Sequence, residues 1–168
     1  IGYAPVRESA EEIVKISRLP HIYVEGIFTH FACADMGDEK YKKVTKIQYD
    51  RFCRMEQWIE TMGLHIPLRH CANSAGIMDA SWMHQDMVRA GIILYGLYPS
   101  EEMPREELDL LPVMSLTSHI TYIKTVAGGE GISYGHTYVT KKETVIATVP
   151  VGYGDGYPRL LSNQGCVL

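Results

Sequence analysis

The chain has 168 residues, 46% of them apolar and 21% charged, with a formal net charge of −4. Such a composition is ordinary for a soluble globular protein. The negative balance offers nucleic acid no electrostatic footing, and no apolar run approaches the roughly 18–20 residues of a membrane span.

The first elements alternate helix and strand signals. Ser9-Ala10-Glu11-Glu12 fits a capping box ahead of Ile13, Val14 and Ile16, with Pro20 as a stop. Ile22 to Thr29 is β-branched and aromatic and predicts a strand. From about Asp38 to Met62, Phe52, Met55, Ile59 and Met62 share one helical face, and Gly63 closes it. The basic cluster Lys40, Lys42, Lys43 and Lys46 then falls on the solvated side of that helix. Arg69 to Ala72 ends a second strand, Asn73-Ser74 turns into a short helix, and Val88 to Leu94 begins a further apolar run. This alternation predicts parallel βα units, as in a barrel or a doubly wound sheet.

After about Leu110 the pattern becomes β-rich. Val113 to Val126 and Glu143 to Val151 are separated by Gly128-Gly129 and a tyrosine-bearing loop, with no convincing helix between them. Pro104 to Pro112 is therefore the expected boundary, giving an α/β part over residues 1–108 and an all-β part over 109–168. A complete (β/α)8 barrel needs roughly 200–250 residues, about twice what the α/β part holds. The chain opens without Met and stops inside a strand-like run, so it is expected to be a piece of a longer polypeptide. Cys33, Cys53, Cys71 and Cys166 lack C-x-x-C spacing and fit reduced, cytoplasmic thiols better than a disulfide framework.

Several residues could carry chemistry. His30 stands at the end of a strand, where barrels line their active sites. As metal ligands, His30, Asp35, His65, His70 and His84 match no established spacing, so no metal is expected. Asn73-Ser74 opens a helix, whose free N–H groups and serine hydroxyl suit a phosphate, or else form a plain cap. Gly91-Ile92 repeats that arrangement, and two such strand ends together predict a phosphate cup. Arg89 stays charged at any working pH and needs either a core ion pair or a ligand. Tyr134 in I-S-Y-G and Tyr153 in V-G-Y-G-D-G-Y are framed by small residues, so their phenols can project from tight turns.

The tyrosine segment 129–159, with C-A-N-S-A at 71–75 and M-V-R-A-G-I at 87–92, resembles the alanine racemases in order and spacing. That resemblance covers nearly the whole chain. It implies the C-terminal half of a (β/α)8 barrel that binds pyridoxal phosphate, followed by the first part of a β-rich domain. It further implies a cytoplasmic homodimer that interconverts L- and D-alanine for D-alanine supply. Asn73, Ser74, Gly91 and Ile92 then hold the cofactor phosphate, and Arg89 faces the pyridine nitrogen and keeps it unprotonated. Tyr134 is the acid and base on one face of the substrate, assisted by His30, while Asp35, Tyr153 and Arg159 line the entrance. The family's second base is a lysine, and nothing here matches its motif; Lys124 and Lys141 lie in the β part and do not fit. A serine racemase of the same family and a non-catalytic barrel protein that binds the same cofactor are the alternatives.

Overall fold

The computed structural model describes residues 2–106 and 108–168. Glu107, inside the expected boundary segment, lies outside them. The chain divides into two compact units, the first ending at Met114 and the second beginning at Ser115.

In the first unit the order is α1 (Arg7–Ser17), β1 (Gly26–Phe28), α2 (Glu39–Thr61), β2 (Leu68–His70) and α3 (Ser74–Asp79). Helix α1 begins one turn earlier than the Ser9 capping box predicts. Its N-cap is Val6, with no side-chain cap. Ala10 and Val14 bury together with Met55, Ile59 and Ile66. Helix α2 follows its periodicity closely. Asp38 caps it by accepting from the Lys40 N–H at 2.8 Å, and Phe52, Met55 and Ile59 are buried. Its charged face carries Lys42–Glu39 and Lys46–Asp50 pairs in solvent, worth little individually.

The strand expected over Ile22–Thr29 shrinks to Gly26–Phe28, because pairing ends where the partner does. β1 and β2 are parallel, with Phe28 opposite His70. Their two chain continuations therefore leave the sheet at the same level. Arg89 is not in a strand: its segment runs unpaired past β2, tied by the Arg89 N–H to the Ala72 carbonyl at 2.9 Å. A core of Phe31, Phe52, Cys71, Ala72, Met78 and Met83 lies beneath this strand end.

The second unit contains β3 (Tyr122–Val126), β4 (Gly131–Ile132), β5 (Tyr138–Val139) and β6 (Thr144–Thr148). β3 pairs antiparallel with β6, and β4 with β5. Thr140, only 2% exposed, ties the turn at Gly128-Gly129. Its hydroxyl donates to the Ala127 carbonyl at 2.7 Å and accepts from the Glu130 N–H at 2.9 Å. Among the described residues no helix is long and apolar enough to cross a membrane.

Candidate functional site

The parallel register brings one cluster together in the first unit. The Arg89 guanidinium reaches across both strand ends. Its Nη2 donates to the Thr29 carbonyl at 2.9 Å and the Cys71 carbonyl at 3.2 Å, and lies 3.4 Å from His30 Nδ1. Its Nη1 meets His70 Nδ1. No carboxylate stands within ion-pair distance of Arg89 among the described residues; the nearby acid, Asp86, pairs instead with Arg69 at 2.8 Å. The core ion pair is thus absent, and the side chain keeps an Nε–H and an Nη1–H uncommitted. Burial pulls Arg89 below its ordinary value, yet far from losing its proton.

His70, at the end of β2, stacks on Phe28 with ring centroids 5.2 Å apart. Burial, then the Arg89 charge, lowers its pKa from 6.5, so the neutral ring offers Nδ1 as an acceptor. Residue-type reasoning considered His70 only as a metal ligand. The strand-end logic that singled out His30 applies equally to His70, and would have found it. Among the described residues no three metal-ligating side chains cluster.

Beside Arg89, the buried Ser74 Oγ accepts from the Gly91 N–H at 2.9 Å, which joins the two expected phosphate positions. The hydroxyl hydrogen of Ser74 remains available, as do the N–H groups of Ser74 and Ala75 at the start of α3. Ile92 starts a 3-10 turn at Ile92–Tyr95, and its N–H is likewise a first-turn donor. Asn73 is committed: its Oδ1 accepts from the Gly76 N–H at 3.0 Å, and its Nδ2 donates to the Phe31 carbonyl at 3.4 Å. Asp35 lies in the same unit, its carbonyl accepting from Ser100 Oγ. In the second unit Tyr134 is 88% exposed, on a turn where Ser133, Gly135 and His136 all have positive φ, with Gly135 at +69°. Arg159 sits 5.8 Å from the Tyr153 ring centroid, which brings those two together.

Arg89 without a counter-charge, and in the same unit the Ser74 hydroxyl with the open N–H groups of Ser74, Ala75 and Ile92, are donors of the kinds that a ring acceptor and a phosphate accept from. The family model for the alanine racemase N-terminal domain matches residues 1–99 and the one for the C-terminal domain residues 113–168. The chain belongs to the alanine racemase family. It is 49% identical over 165 residues to the alanine racemase of Clostridium tetani, covering 98% of this chain and 42% of that protein. It is 50% identical over 168 residues to that of Desulforamulus reducens, covering 100% and 45%. The chain therefore spans less than half the length of these curated relatives. Among solved structures, alanine racemase from Clostridium difficile 630 in complex with cycloserine is 43% identical, with a TM-score of 0.78 over 95% of this chain and 42% of that one. Alanine racemase from Bacillus anthracis with bound L-Ala-P is 37% identical, with a TM-score of 0.70 over 93% and 40%. The alanine racemase family is pyridoxal-phosphate-dependent, and a cationic donor with a serine hydroxyl is chemically compatible with such a cofactor.

Proposed function

We propose that this chain is the middle-to-C-terminal part of a cytoplasmic, homodimeric alanine racemase that supplies D-alanine. Residues 1–108 form the second half of its (β/α)8 barrel and residues 109–168 the first part of its β-rich domain. The observation that carries the reading is the uncompensated Arg89 beside the Ser74–Gly91 pair. Pyridoxal phosphate, when bound there, supplies the electron sink that makes the α-proton of alanine removable.

The chain's own residues then divide the work. The Ser74 hydroxyl and the Ile92 N–H receive the phosphate, with Gly91 holding Ser74 Oγ in place through its N–H and Asn73 fixing the α3 turn that presents Ser74. Arg89 donates to the pyridine nitrogen. A donor that stays protonated keeps that nitrogen unprotonated and tempers the sink, which limits side reactions. The exposed Tyr134 phenol takes or returns the α-proton on one face, with His30 assisting; a lysine outside this sequence serves the other. Asp35, Tyr153 and Arg159 shape the approach of the amino acid.

Tyr134→Phe in the complete enzyme tests this reading. Losing a positioned acid–base group costs about 10²–10⁴-fold in rate, and here the loss should fall on one direction. Proton removal from L-alanine should slow far more than removal from D-alanine, measured as Cα exchange with solvent deuterium from each isomer. Small, equal losses in both directions would reduce Tyr134 to a turn residue and overturn the two-base assignment.

A further inference from the structure

Gln48, on α2, commits its whole side-chain amide to one stretch of backbone. Its Nε2 donates to Thr29 Oγ1 at 3.0 Å and to the His30 carbonyl at 2.6 Å, and its Oε1 accepts from the Ala32 N–H at 3.2 Å. All three partners lie in the four residues that follow β1. A single half-exposed hydrogen bond rarely repays the ordering of a flexible glutamine, whereas three convergent ones fix side chain and turn together.

That turn feeds the site. The Thr29 carbonyl accepts from Arg89 Nη2, and His30 Nδ1 faces the same nitrogen. On the far side the turn is anchored by Phe31, 2% exposed, whose carbonyl accepts from Asn73. On the near side the described hydrogen bonds leave Gln48 as the tie to the helix layer. We propose that Gln48 is a positioning residue, setting through the 29–32 turn where Arg89 and His30 stand. What the cluster does rests on the racemase reading; what Gln48 holds rests on geometry alone. Without the amide, the Thr29 hydroxyl and the Ala32 N–H can turn to water, and the turn relaxes while the core stays packed. Misplacement by about an ångström can cost on the order of 10²-fold in rate.

The test uses the complete enzyme with Gln48→Met, which keeps length but removes amide polarity, and Gln48→Glu, which keeps the acceptor and loses both donors. Four quantities are compared with wild type: kcat and KM from each alanine isomer, pyridoxal-phosphate affinity, thermal midpoint, and hydrogen exchange of the Arg89 guanidinium. The last is read from its 15N–1H signals, assigned by their loss in Arg89→Lys. The expected result is kcat lower by roughly ten- to hundredfold, KM and cofactor affinity within about twofold, and faster exchange at Arg89 in apo and holo enzyme alike. Unchanged kcat and unchanged Arg89 signals would overturn the proposal. So would a kcat that falls only in step with cofactor loss or unfolding while Arg89 stays protected. Gln48-dependent Arg89 signals in a wild-type enzyme inactive on alanine would instead overturn the racemase reading and uphold the tie. The two substitutions disturb packing differently, so misfolding of one leaves the other decisive.

Discussion

Arg89 is held by backbone carbonyls and a neutral imidazole, so its charge is anchored without being cancelled. The arrangement has a pH signature at His70. Its pKa in the folded protein lies below 6.5, so between those two values the unfolded chain binds more protons. The contribution of His70 to stability is thus fully present above about pH 6.5 and is lost as pH falls through the folded value. Thermal midpoints of the complete enzyme should decline on acidification through this window. His70→Gln, which preserves a neutral acceptor for Arg89, should flatten that part of the curve; an unchanged slope would show that another group titrates. His30, Ser74, Arg89 and Gly91 stand out as candidates in the sequence because strand ends, helix starts and a lone cation have recognisable neighbours. Gln48 does not, and the set of partners around Arg89 does not. The atoms they meet are mostly main-chain groups, which every residue carries.

At the level of elements, the loop bearing Tyr134 is closed by the β4–β5 ladder and tied below it by the Thr140 hydroxyl. Thr140→Val removes the donor to Ala127 and the acceptor for Glu130, leaving two main-chain groups unpaired beside a buried side chain. A loss of about 1–3 kcal/mol is expected, concentrated in the second unit, with faster amide exchange at Glu130 as the readout. Exchange unchanged there would mean that water replaces the hydroxyl without cost. The long helix α2 was predicted nearly to its ends, since its signal is local and repeats every turn. Strands were harder. β1 is short because β2 is short, and no window containing Ile22–Thr29 reveals the length of a partner forty residues away.

Taken as a whole, the 168-residue chain holds one of the two proposed bases and open sheet edges. The outer edges of the β1–β2 pair have no strand partner among the described residues, and Leu111, Met114 and Leu116 are 75%, 85% and 70% exposed. Such surfaces promote self-association. Supplied with pyridoxal phosphate, this polypeptide alone should associate and show no racemisation; activity, or cofactor retained through dialysis on one of its lysines, would contradict that. The level strand ends also govern how the chain tolerates insertions and deletions. One residue added or removed between Leu68 and Asn73 would turn alternate side chains to the opposite face and draw the Cys71 carbonyl away from the guanidinium that also holds Thr29. The bend at Gly63, with φ of +85° and nothing within 4 Å of where a Cβ would stand, can absorb the same change. Length variation among homologues, and linkers inserted by engineers, should therefore concentrate in the turn before β2 and stop short of the strand itself.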